Sequence, residues 1–175
     1  MTPNKFCEVV FRNRLTAAGL AGFLAGLLDG LAAIGQHLLQ GGHQPGMIFQ
    51  FIASGFFGRA AFSGGTNMIA RGILFHFLIA YLFTFFYFLV YPFVPYLQKR
   101  VIIAAVLYGL FTWAVMNGVV LPLSRTPPLP FHPGKALVAA LILTVCVGLP
   151  VSLLAHKYYL YKKNKISDVT SEPAA

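Results

Sequence analysis

Long uncharged stretches set the pattern of this chain. No residue is charged between Arg71 and Lys99, between Arg100 and Arg125, or between Lys135 and Lys157, and a fourth stretch, residues 15–39, is broken only by Asp29. Each reaches the roughly 20 apolar residues that carry a helix across about 30 Å of hydrocarbon. Lipid offers no partner to open backbone groups, and the runs lack the two-residue alternation of barrel strands, so they predict transmembrane helices. The expected fold is all-α, a transmembrane four-helix bundle with spans at about 15–39, 72–94, 101–121 and 136–156. Residues 1–14 form an N-terminal tail, residues 15–156 a single transmembrane domain, and residues 157–175 a basic tail that is disordered from 166. Pro92 and Pro95 mark the end of span two, because proline cannot continue a regular helix. Pro150 is expected to kink span four.

A shorter apolar segment, Met47–Phe62, separates spans one and two, and charge decides whether it crosses. With four spans, the N-terminal side holds nine basic residues: Lys5, Arg12, Arg14, Lys99, Arg100, Lys157, Lys162, Lys163 and Lys165. The other side holds four: Arg59, Arg71, Arg125 and Lys135. A fifth span would erase this bias and strand Arg59 in the bilayer. The positive-inside pattern therefore predicts four spans, both termini in the cytoplasm, and a re-entrant or interfacial helix at Met47–Phe62 on the outer side. A cleavable signal peptide is the rival reading of the N-terminus. Asp29 and the apolar pattern continuing beyond it argue against that reading.

Composition agrees with the pattern. Hydrophobic residues make up 58% and charged residues 10% of the 175, whereas a soluble domain carries roughly 25% charged residues to solvate its surface. The net charge of +9 sits at segment ends, with no basic patch interleaved with stacking aromatics, so no nucleic-acid partner is expected. Cys7 and Cys146 fall in the N-terminal tail and inside span four, which does not suit a structural disulfide.

Two stripes of small residues recur at four-residue spacing: Ala18, Gly22, Gly26 and Gly30 in span one, and Ala136, Ala140, Thr144, Gly148 and Ser152 in span four. Such spacing places each stripe on one helix face, where a neighbouring backbone approaches closely. Packing inside the bundle is one reading; a homodimer seam or a face for a membrane partner is the other. The aromatics of span two lie all around the helix, and Tyr91 and Tyr96 fit an interfacial belt.

Asp29 is the sole acidic residue within a span. A charged carboxylate facing lipid costs at least a few kcal/mol, so Asp29 should face the bundle interior. It lies about 15 Å below the outer end of span one, and His76 about 7 Å below that of span two if that helix begins near Gly72. Asn117 and Trp113 enter from span three at similar depths. Asp29, His37, His76, Trp113 and Asn117 are thus expected to line one polar recess open to the outer side, with Arg59 on its rim and Asp29 and His76 meeting. No histidine spacing supports a metal site, and no cofactor is expected. A haem held by His37 and His76 is the remaining metal reading. No serine stands in a nucleophile motif and paired carboxylates are absent, so the pattern leans away from an enzyme.

Phe75-His76-Phe77-Leu78-Ile79-Ala80, then Tyr108-Gly109, then Met116-Asn117-Gly118-Val119-Val120-Leu121-Pro122-Leu123-Ser124 resembles a family of small, uncharacterised, four-span bacterial inner-membrane proteins. The resemblance covers roughly residues 15–155. It implies a bacterial inner-membrane location and draws attention to His76 and Asn117, without bringing an activity. The expectation is a non-enzymatic inner-membrane protein whose periplasmic recess takes a small ligand or ion. A structural or assembly subunit using its glycine faces is the first rival, and a haem or metal protein the second.

Overall fold

The computed structural model describes residues 10–171 except 12, 129 and 131, with side chains placed as far as residue 166. Among these residues the fold is all-α. Four helices are long and apolar enough to cross a membrane: Arg14–Leu39, Gly65–Phe93, Val101–Leu123 and Pro133–Ile166. They are spans one to four of a multi-pass membrane protein. The shorter helix, Met47–Phe57 continued by a 3-10 turn at Gly58–Phe62, joins spans one and two.

The bundle is built inside out relative to a soluble domain. Leucines such as Leu74 and Leu82 are 66% and 62% exposed, while Ala17, Ala18, Ala21, Ala25 and Ala105 are fully buried. Beside lipid a buried leucine gains nothing, whereas small residues let backbones pack closely. Span one runs antiparallel to span two: Gly22 faces Tyr81 and Thr84, Gly26 faces Phe77 and Ala80, and Gly30 faces His76. Spans three and four meet more tightly still. A Cβ on Gly109 would overlap the Thr144 backbone, and one on Gly148 would overlap the Ala105 carbonyl oxygen. Thr144 turns its hydroxyl back to the Ala140 carbonyl, 2.9 Å away. Gly22, Gly26, Gly30, Thr144 and Gly148 therefore all pack within the chain. These glycine faces are covered by neighbouring spans of the same chain.

Span four runs parallel to span two. Ser152 Oγ donates to Tyr87 Oη at 2.9 Å, and Tyr91 Oη pairs with His156 Nδ1 at 2.9 Å. The ring of Tyr108 in span three meets that of Tyr87 at a tilt, with centroids 4.3 Å apart. The two ends of the described chain consequently share one end of the bundle, the terminal end. The short helix and the proline-rich segment 124–132 share the other, the loop end.

Prolines dictate the local irregularities. In a regular helix the Phe88 carbonyl would accept the N–H of residue 92, but Pro92 has none. It accepts instead the Tyr159 hydroxyl, at 2.7 Å, and the Arg14 guanidinium. Gln98 Nε2 serves the Tyr91 and Pro92 carbonyls in the same way, at 3.4 and 3.3 Å. Within the spans, Pro122 and Pro150 each follow a π-helical segment, Met116–Val120 and Thr144–Gly148. Widening the turn there accommodates the ring without breaking the helix.

Three expectations need correction. Span two begins at Gly65 rather than 72, because the polar stretch before Arg71 is its first two turns. Span four begins at Pro133, and its helix continues to Ser171 where a disordered tail was expected from 166. Pro150 follows the π turn Thr144–Gly148, and the helix continues through it. Tyr91 is fully buried and belongs to the core rather than to an interfacial belt. Residues 1–9, with Lys5, Cys7 and Glu8, lie outside the described residues, as do Arg12, Glu172 and the side chain of Asp168.

Candidate functional site

The polar residues expected to share one recess fall into two groups. The first lies between spans one and two. His76 donates its Nε2–H to the Gly26 carbonyl at 2.8 Å, since a carbonyl oxygen only accepts. The ring reaches that backbone because Gly30 has no side chain; a Cβ there would stand 3.2 Å from Nε2. Phe49 of the short helix and Phe77 meet the ring edge-on, at 6.2 and 5.6 Å between centroids. Asp29, one residue before Gly30, is in electrostatic range of His76 and of Cys146 from span four. Asp29 and His76 come within electrostatic range of each other at similar heights because span two starts at Gly65. That start places His76 about 16 Å along its helix, level with Asp29, rather than 7 Å.

The second group lines a cleft of about 780 Å³ at the loop end, between spans three and four. Trp113, Asn117, Gly118 and Leu121 form one wall, Lys135, Ala136 and Ala139 another, and Ser124, Thr126, three prolines and His132 the loop side, with Phe51 of the short helix closing it. Its origin is local. Gly109 and Gly148 hold the two spans together toward the terminal end, while Gly118, Ala136 and Ala139 are too small to fill the space toward the loop end. Asn117 lies in the π turn, and its side-chain amide donates to the Trp113 carbonyl at 2.9 Å.

The loop wall is held in place. Arg125 donates its backbone N–H to the Gly55 carbonyl at 2.9 Å, tying the segment to the short helix. Ser124 Oγ bonds the Leu121 carbonyl at 2.8 Å and Thr126 Oγ1 at 2.9 Å. The short helix in turn rests on span two, with Gly72 against the Phe49 carbonyl and Arg71 over the Phe57 ring at 4.9 Å. These bonds make a preformed cleft of the size that small-molecule sites have.

His37 and Arg59 join neither group. His37, in the last turn of span one, packs on Gly42, and its buried Nε2 has no hydrogen-bond partner. Arg59 is exposed on the 3-10 turn. No three metal-ligating side chains converge among the described residues. Of the cleft's lining, sequence reasoning had assigned Trp113 and Asn117 to a recess and His132 to its rim, but not Lys135 or the alanines opposite them. The signal was present in Gly118, Ala136 and Ala139, small residues near the ends of adjacent spans.

It also missed the core of tyrosines at the terminal end. Tyr87 and Tyr91 are four residues apart, as are their partners Ser152 and His156. Matching four-residue pairs on two parallel helices were the available clue. No family model matches the chain, and no curated protein or solved structure is significantly similar to it.

Proposed function

We propose that this chain is a non-enzymatic ligand-binding protein of a bacterial inner membrane, with both termini cytoplasmic and the loop-end cleft opening to the periplasm. The observation that carries the reading is the preformed cleft of about 780 Å³ with Trp113, Asn117 and Lys135 in its walls. Its orientation is supported by the charge bias of the sequence, with nine basic residues before span one, between spans two and three and toward the C-terminus, against four in the other connections. The His76–Gly26 hydrogen bond serves as an internal polar tie between spans one and two, fixing the helices on which the short helix and the loop wall rest.

Gly118 gives the test a clean handle. It lines the cleft, and a Cβ there meets nothing within 4 Å. Gly118→Phe is therefore expected to fill the cleft without disturbing helix packing, leaving thermal stability within about 0.5 kcal/mol. Native mass spectrometry of the full chain, released from a neutral detergent, should show a small molecule retained at one per chain and lost in Gly118→Phe. A wild-type chain that retains nothing and takes up nothing from a membrane extract, or a ligand equally retained by the variant, would contradict the reading.

A further inference from the structure

We infer that the cleft binds an amphipathic anion, a phosphate or carboxylate head on an apolar body, with Lys135 and His132 at the head and Trp113 and Phe51 against the body. The inference rests on the cleft reading above and adds the chemistry of its occupant.

Charge supplies the first half. From residue 30 to residue 167 the sequence contains no acidic residue. Arg59, Arg71, Arg125 and Lys135 at the loop end therefore have no carboxylate of their own end to pair with. Arg71 is placed over the Phe57 ring, whereas Lys135 stands at the cleft wall with His132 three residues before it. Positive groups with no internal counter-charge draw an anion from outside the chain and repel a cation. Lysine serves an anionic head as a mobile point charge, and Ser124 and Thr126, already bonded to each other, add hydroxyls beside it.

The walls supply the second half. Trp113, Phe51, Leu121 and four prolines present mostly carbon, which a bare inorganic anion cannot use. The cleft also stands beside residues that face lipid: Leu123 is 82% exposed and Leu137 64%. A ligand with its head at the loop-end surface and its tail along spans three and four would satisfy both halves at once. Such a ligand reaches the cleft from the lipid leaflet or from water, and free phosphate lacks the tail.

Trp113 is the one tryptophan in the chain and lines the cleft, so its emission reports occupancy directly. The full chain in phosphatidylcholine nanodiscs is titrated with dodecyl phosphate, dodecanol, dodecyltrimethylammonium and inorganic phosphate. Dodecyl phosphate is expected to shift Trp113 emission saturably, about tenfold tighter than dodecanol or the ammonium, as one charge-assisted contact gives. Lys135→Gln should remove most of that advantage while leaving dodecanol binding unchanged, and Lys135→Arg should keep it. Gly118→Phe should abolish every saturable response. Equal affinity for dodecanol and dodecyl phosphate would overturn the anion inference and leave the cleft as a ligand site. Inorganic phosphate binding as tightly as dodecyl phosphate would overturn the amphipathic half. No saturable response to any amphiphile would remove the cleft reading with it.

Discussion

Gly148→Ala, a change of one methyl group, is expected to destabilise the bundle in detergent by about 3 kcal/mol, at the upper end of overpacking costs. The added Cβ would overlap the carbonyl oxygen of Ala105, and the Gly109 nitrogen lies 3.3 Å away on its other side. Both neighbours are backbone of span three, so no side chain can rotate away. Relief requires the two spans to part, and their seam also contains Gly109 against Thr144. Gly72 offers a closer contact, with Phe49 of the short helix, but there the neighbour is a short helix rather than one of the four long ones. Gly118→Ala serves as the control, since nothing stands within 4 Å of its Cβ, and it should be neutral within about 0.5 kcal/mol. The comparison is a thermal or denaturant unfolding curve on the purified chain. Equal stability of the two variants would show that spans three and four do not meet at Gly148.

The second large effect concerns the Phe88 carbonyl. Removing both of its substitute donors, in Arg14→Met with Tyr159→Phe, leaves an acceptor unserved inside the helix bundle. An unsatisfied buried polar group costs about 1–3 kcal/mol, and more beside lipid, so the double variant should lose about 3 kcal/mol. Pro92 is the cause of the vacancy, because residue 92 would otherwise supply the N–H. In a Pro92→Ala background the helix can serve Phe88 itself, and the same double variant should lose only about 1 kcal/mol, the remainder reflecting lost packing. A cost that is the same in both backgrounds would show that Arg14 and Tyr159 act elsewhere than on this carbonyl.

The spans were legible because a bilayer imposes a length and a polarity that single residues cannot evade. Asp29 and the glycine stripe were legible for a related reason, since four-residue spacing fixes a helix face whatever lies opposite. What lay opposite was not legible. His76 was read as shallow because Ser63, Thr66 and Asn67 look like a break in an apolar pattern. Thr66 and Asn67 are instead in the first turns of a helix that starts at Gly65 and meets the short helix at Ile69 and Gly72. Tyr91 was read as interfacial because sequence shows an aromatic near a span end; only the position of His156 on span four turns it inward. Joining Asp29, His76, Trp113 and Asn117 in one recess failed on helix rotation. Depth along four helices can agree while the side chains face different neighbours, and rotation depends on contacts such as Gly109 with Thr144.

Side-specific cysteine labelling tests the outward-facing cleft most directly. In a background carrying Cys7→Ser and Cys146→Ser, single cysteines replace Pro128, exposed at the cleft, and Lys162, exposed in the last turns of span four. A membrane-impermeant maleimide added to intact cells with a permeable outer membrane should label Pro128→Cys. It should label Lys162→Cys only after the inner membrane is opened. Gly118→Phe, which fills the cleft from span three, should leave both patterns in place. Labelling of Lys162→Cys in intact cells, with Pro128→Cys protected until lysis, would reverse the topology and contradict a periplasmic cleft.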